Sequence, residues 1–213
     1  MSDASSPLSL LETRVLGTLA EKQRTVPDAY PLSLNALAAG CNQKTSRCPV
    51  LEAGEPEILL ALEILKERGL VSDVSGGRVL RFAHHLEKVL GVPTQASALL
   101  TVLMLRGPQT AGELRLNCER LHKFADISAV EAFLEELAAR ADGALVVELP
   151  RLPGARETRW SHLLSGPPAV DSGVAGRAPA ASSGQAVDEL RSRIESLEAE
   201  VAALREIVDR FRS

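Results

Sequence analysis

Two successive stretches of this sequence carry the same order of local signals, three helical segments followed by two short strands. In the first stretch, the capping box of Ser9 and Glu12 opens one helix, and Ser33 opens the next. A third helix is predicted over 55–68, with its apolar face at Ile58, Leu59, Leu62 and Leu65. Two apolar runs around a glycine-rich turn then predict a β hairpin. Three helices closed by a hairpin are typical of a winged helix.

The second stretch repeats this order with little identity to the first. A helix is predicted over 94–105 and ends at the glycine and proline that follow it. Two further capping boxes, Thr110 with Glu113 and Ser128 with Glu131, open the next two helices. Apolar runs on either side of a loop with proline and glycine predict a second hairpin.

The C-terminal part has a different pattern. Residues 165–186 are rich in Ser, Gly, Pro and Ala, which predicts a flexible linker. A heptad pattern follows, with apolar residues at Val187, Leu190, Ile194, Leu197, Val201, Leu204, Val208 and Phe211. Because the a positions are β-branched and the d positions are mostly Leu, we expect these eight residues to dimerise as a parallel coiled coil. The alternative is a single helix, either isolated or packed on a winged domain.

These patterns predict a mainly α fold with small β hairpins (α+β), in which two tandem winged-helix domains precede a coiled-coil helix. A hydrophobic content of 45% with only 3% aromatic residues suits small cores of Leu, Val, Ile and Ala. The predicted segments are a disordered N-terminus at 1–8, winged-helix domain 1 at 9–92, winged-helix domain 2 at 93–164, the linker at 165–186 and the coiled-coil helix at 187–213.

Charge and cysteine content limit the classes of partner and compartment. The net charge is -4 and the pI about 5.7, so any contact with nucleic acid must come from a local basic patch. Three cysteines, an odd number without a disulfide framework, suit a reducing compartment. The sequence has neither a signal-peptide pattern nor an apolar run near the ~20 residues that cross a bilayer. We therefore expect a cytoplasmic protein without membrane contact.

Three motifs carry a resemblance to a known family. They are Leu11–Gly17 with Glu21-Lys22, then Tyr30–Asn35 with Cys41–Arg47, and finally Leu103–Thr110 with Gly112–Arg115. Through these motifs, residues 8–164 resemble the YceH-like family of uncharacterised bacterial proteins. The resemblance implies the tandem winged-helix fold and no established activity. Members of that family usually have an acid where Cys48 stands, so a contact between that acid and Arg47 is in question here.

Two basic segments are candidate contacts to nucleic acid, a polar loop at 42–47 and the second wing. Their candidate residues are Lys44, Arg47, Arg151, Arg156 and Arg159. Each segment has a structural alternative, because polar loop side chains often bond their own backbone and charged runs are often solvated faces. The third and sixth predicted helices, which would enter a major groove, are net acidic, so we expect no base readout from them.

No motif for catalysis, metal or cofactor binding is apparent. Cys41 and Cys48 lack the spacing of a zinc or redox pair, and we expect inert thiols. His84 and His85 have no matching ligands, and we expect both at the surface. Nucleotide-binding, hydrolase and metalloprotease signatures do not occur. We therefore predict a protein that is not an enzyme and that has no cofactor or metal.

These observations leave two hypotheses for function. The first is a homodimeric regulatory protein whose winged domains bind DNA weakly through the basic segments. The second is a protein–protein interaction adaptor that uses its acidic helical faces and does not bind DNA.

Overall fold

The computed structural model describes residues 6–75 and 79–168. These residues contain helices α1 (Leu10–Thr25), α2 (Leu34–Cys41), α3 (Glu55–Glu67), α4 (Leu86–Leu90), α5 (Thr94–Arg106), α6 (Ala111–Asn117) and α7 (Ile127–Ala138), and strands β1 (Leu32–Ser33), β2 (Val71–Val74), β3 (Arg81–His84), β4 (Val146–Leu149) and β5 (Arg159–His162). The predicted mixture of helices with small β hairpins is confirmed. The predicted coiled coil at 187–213 and the linker residues from 169 onward lie outside the described residues.

Both hairpins are antiparallel, and each gains a short third segment that the sequence did not predict. In the first sheet the strand order is β1-β3-β2, with Leu32 opposite Phe82. In the second, β4 pairs with β5, and Gln109 forms an isolated antiparallel bridge with Trp160. The added segment directly precedes the second helix of each copy. A segment of one or two residues is too short to display the alternating pattern by which a strand is predicted.

The predicted N-caps are confirmed at three helices and wrong at α7. Ser9 and Thr110 form full capping boxes with the glutamates three residues later, and the Ser33 side chain caps α2. The box predicted at Ser128 does not form, because α7 begins earlier, at Ile127. Its N-cap is Asp126, whose Oδ1 accepts a hydrogen bond from the Ala129 N–H at 2.8 Å. Aspartate is as good an N-cap as serine, so an earlier cap displaced the predicted one.

Each copy of the pattern surrounds its own hydrophobic cluster. The first cluster takes its buried residues from 8–86 together with Met104, and the second from 92–160. On α3, Ile58, Leu62 and Leu65 are fully buried, whereas Leu59, predicted on the same face, is 38% exposed. The buried positions of this helix are spaced three and four residues apart, and position 59 lies beside that stripe.

The N-terminal boundary also differs from the prediction. Leu8, assigned to a disordered N-terminus, is only 5% exposed and belongs to the first cluster. Its N–H donates to the carbonyl of Leu164 at 2.8 Å, and Leu164 packs against the same cluster. The end of the second copy therefore returns to the core of the first.

Helices α1 and α5 form the contact between the two copies. Residues 12–20 of α1 and 96–105 of α5 are buried without interruption, which a one-sided amphipathic helix would not show. Gly17 permits the close approach, because a Cβ there would lie 3.1 Å from the side chain of Leu105. In this packing Arg24, near the end of α1, donates to the Thr94 carbonyl at the start of α5, so the two helices run antiparallel, and the candidate site lies beside them.

Candidate functional site

The polar loop between α2 and α3 is held rigidly by its own side chains. Asn42 both donates to the Ala53 carbonyl, at 2.8 Å, and accepts from the Ala53 N–H, at 2.9 Å. The Cys48 N–H donates to the Leu105 carbonyl at 2.8 Å, which ties the loop to α5. Ser46 has a positive φ of 59°, an uncommon conformation for a residue other than glycine. The loop therefore presents its remaining side chains from a fixed backbone.

Arg14 holds the two ends of this loop through hydrogen bonds. Its side chain is fully buried and donates to the carbonyls of Cys41, at 3.1 Å, and Pro49, at 2.6 Å. Burial lowers the pKa of Arg14, and the nearby charge of Arg47 lowers it further. Because both hydrogen bonds go to main-chain carbonyls at the two ends of the loop, this guanidinium stabilises the loop backbone.

Arg47, a predicted phosphate contact, points into the protein. Its Nη2 lies 2.6 Å from Glu21 Oε2, its Nη1 donates to Glu21 Oε1, and its Nε donates to the Gly40 carbonyl. Burial alone would raise the pKa of Glu21, but the hydrogen bonds and charge of Arg47 outweigh burial and hold that pKa below its ordinary value. Arg47 is thus paired without an acid at position 48, and it is not displayed to phosphate.

Lys44 is the loop cation that the structure does present to solvent. It lines a cleft of about 420 Å³ between the loop, the end of α1 and the helices α5 and α6. Among the residues that the structure describes, four cations line this cleft, Lys22, Lys44, Arg106 and Arg120, against a single carboxylate, Glu21. Since Glu21 is already paired with Arg47, the cleft, here called the cationic cleft, has an excess of positive charge.

Individual cations of the cationic cleft differ in burial and in their contacts. Arg106 is half-buried and donates to Ser46 Oγ at 2.8 Å, which fixes it against the loop. Lys22 lies 3.3 Å from Glu21 and is also half-buried. Lys44, between α2 and α3, and Arg120, between α6 and α7, are both exposed. Sequence reasoning missed Lys22, Arg106 and Arg120, because only the packing of α1 on α5 brings these distant segments together.

The arginines of the predicted second wing lie elsewhere, among carboxylates. Arg151 and Arg156 line a second cleft of about 420 Å³ together with the glutamates at 131, 135, 148 and 157. Arg159 forms an ion pair with Glu113 at 3.2 Å and donates to the Pro108 carbonyl. The structure therefore does not bring the wing arginines together with Lys44, and it surrounds two of them with an excess of acid.

Two of the cysteines and His84 are buried. Burial raises the pKa of the Cys41 thiol to about 11 and that of Cys118 to about 12, whereas Cys48 is exposed. His84, predicted at the surface, is only 7% exposed, and its Nε2 lies 2.8 Å from Gln23 Oε1. Within the described ranges, no group of three or more His, Cys, Asp or Glu side chains is placed to hold a metal ion.

His84 is a neutral residue of the first core. The Leu86 N–H donates to its Nδ1, so its Nε2 carries the proton that Gln23 accepts. Burial lowers the pKa of His84 to about 4. His84 lies two residues after the apolar Phe82 in strand β3, so both side chains lie on the same face of the sheet. This spacing could have predicted that His84 is buried.

Comparisons with known proteins cover most of the chain. Residues 8–155 match the family model described as "Protein of unknown function, DUF480". A UPF0502 protein of Dechloromonas aromatica is 72% identical over 208 residues, which cover 98% of this chain and 97% of that protein. UPF0502 proteins of Burkholderia thailandensis and Acidovorax sp. are 58% and 55% identical, over 95% and 96% of this chain and 86% and 92% of their own lengths.

The helices of the described part are all too short or too polar to cross a membrane. The predicted resemblance is confirmed by the family model and the relatives, since the YceH-like family is the same family under another name. The chain belongs to the DUF480/UPF0502 family of bacterial proteins.

Proposed function

We propose that this chain is a DNA-associated, non-enzymatic winged-helix protein that binds the phosphate backbone through its cationic cleft. The observation that carries the proposal is the excess of positive charge in a cleft of about 420 Å³ on a protein whose net charge is -4. We further propose that it acts in the bacterial cytoplasm, with free thiols, as a dimer joined by the heptad residues between 187 and 211.

The order of elements supports the winged-helix assignment. Each copy runs helix, short bridging segment, helix, helix and hairpin, which is the order of a helix-turn-helix with a β wing. Residues 42–54 join α2 to α3, and residues 118–126 join α6 to α7. Both turns contribute side chains to the cationic cleft. The cleft is therefore bordered by the two turns that, in this assignment, belong to the two helix-turn-helix units.

The charge distribution favours backbone contact over base readout. Exposed glutamates dominate α3 and α7, and bringing them into a major groove would place carboxylates beside phosphates. The cationic cleft offers ammonium and guanidinium groups that can each replace a condensed counterion. Because such contacts do not read base edges, we expect binding with little sequence preference.

The test is fluorescence anisotropy of a labelled random duplex with the full-length protein across a salt series. If each of the four cations contacts one phosphate, log Kobs falls with log salt at a slope of about -3.6. The double substitution Lys44→Met/Arg120→Met removes the two exposed cations and should make the slope about 1.8 less steep. Arg156→Met is the matched control, since it removes an exposed cation from the glutamate-rich cleft and should leave binding unchanged.

Two results would contradict the proposal. One is the absence of duplex binding at low salt. The other is an equal loss of binding in the cationic-cleft variant and in the Arg156→Met control, because this would show a general charge effect rather than a site.

A further inference from the structure

Helix α3 exposes a stripe of large apolar side chains that the first core does not cover. Leu60 is 68% exposed, Leu59 38% and Ile64 37%, whereas the opposite face of the same helix is fully buried. Residues 60 and 64 are one turn apart and lie side by side on the helix surface. Leu59 lies about 100° around the helix from Leu60, so it is not part of the same surface. Leu60 and Ile64 form an exposed apolar patch, which is a usual mark of an interaction surface.

Acidic side chains surround this patch, here called the α3 patch. Glu55, Glu57, Glu63 and Glu67 are all exposed, and Lys66 is the one cation within the helix. Lys66 is occupied, since its Nζ lies 2.7 Å from Glu63 and 3.2 Å from Asp73. At about 3.6 residues per turn, Glu57 lies on one side of Leu60 and Ile64, and Glu63 and Glu67 lie on the other, so acidic groups border the patch on both sides.

We propose that the α3 patch docks a basic amphipathic helix of a partner protein. An apolar stripe on one helix is covered by the apolar stripe of another, with residues spaced three and four apart. The surrounding glutamates select a partner whose flanking residues are Lys or Arg and oppose an acidic one. The occupant is therefore a cationic helix, and this interaction is separate from phosphate binding in the cationic cleft.

The geometry also explains why α3 is unsuited to the role that its position in a winged helix would give it. A groove-reading helix needs donors for base edges and cations for phosphates. Position 60 instead presents an isobutyl group that gains free energy only when another apolar surface covers it. The surface that would contact DNA in a typical winged helix is here suited to contact with another protein.

A pair of synthetic peptides tests the proposal with the full-length protein. One peptide is a Leu/Lys/Ala amphipathic helix, and the other has the same apolar positions with Glu in place of Lys. In anisotropy titrations at physiological salt, the basic peptide should bind and the acidic peptide should not. Leu60→Ser/Ile64→Ser should weaken binding of the basic peptide at least ~10-fold, since it removes two anchors from the contact.

Controls separate this surface from unspecific hydrophobic or charge effects. Leu116→Ser on α6 changes a residue that is 69% exposed and should leave peptide binding unchanged. Glu63→Lys/Glu67→Lys should transfer binding to the acidic peptide. Thermal unfolding checks that the variants remain folded, as expected for exposed positions.

Several outcomes would overturn the proposal. They are equal binding of the two peptides, no binding of either, or equal weakening by the α3 and Leu116 substitutions. A change in the mass of the free protein caused by Leu60→Ser/Ile64→Ser would show that a second copy, rather than a basic partner helix, covers the patch.

Discussion

The pair formed by Arg47 and Glu21 allows a quantitative test of whether this arginine braces the fold. Arg47→Met removes the guanidinium that bonds both carboxylate oxygens of Glu21 and the carbonyls of Gly40 and Ser46. Breaking a buried pair by removing one partner costs about 3–5 kcal/mol. The Glu21 side chain keeps 17% exposure and has Lys22 at 3.3 Å, so we expect the lower end, about 3 kcal/mol.

Urea unfolding of the full-length variants measures this cost against suitable controls. Lys44→Met, in the same loop but exposed, should cost less than about 0.5 kcal/mol. Glu21→Gln should cost about 2 kcal/mol, because a charge-assisted bond is lost while an acceptor remains. The double variant Arg47→Met/Glu21→Gln should cost at least ~1 kcal/mol less than the sum of the single variants, which is the sign of direct coupling.

The reasoning fails if Arg47→Met costs no more than Lys44→Met, or if the two single changes are additive. Acid titration gives an independent check. The pKa of Glu21 is held below its ordinary value, so the stability that the pair contributes is complete above pH 4.5 and is lost as pH falls through the lowered pKa.

Three further predictions concern pH, thiols and assembly. Burial lowers the pKa of both His84 and His162 from 6.5 to about 4, so the unfolded chain binds protons first as pH falls; in urea unfolding we expect each histidine to contribute a loss of about 1.6 kcal/mol from pH 6.5 to 5, and His84→Gln should remove about half of the combined dependence. In the native protein one thiol, that of the exposed Cys48, should react rapidly with a chromogenic disulfide reagent, and denaturant should release all three; Cys48→Ser should abolish the fast phase. Light scattering should give a dimer for the full-length chain and a monomer for Leu197→Asp, which places a charge in the heptad core; a monomeric wild-type protein would contradict the proposed coiled coil.

Local chemistry was readable from the sequence because it depends on residues close in the chain. The capping boxes at Ser9 and Thr110 are complete within four residues, and both formed as predicted. The failure at Ser128 arose from competition, since Asp126 offers an equally good cap two residues earlier. Such competition is decided by where the helix packs, which a single local signal does not contain.

The candidate site was harder to predict, because it depends on which cations the fold buries. Lys44 and Arg47 are three residues apart in one polar loop, and nothing in their types separates a displayed charge from a structural one. The distinction comes from Glu21, which lies on another helix and accepts the bonds of Arg47. The three other cations of the cationic cleft reach it only through the contact of α1 with α5.

The hydrogen bond from the Leu8 N–H to the Leu164 carbonyl makes the path of the chain through this unit nearly circular. Pro7 reinforces this closure, since its side chain lies 3.3 Å from the point where a Cβ on Gly166 would stand. A circular permutant that joins these two segments with a short linker would keep every described core contact. The packing of the two copies therefore does not depend on which copy comes first in the chain.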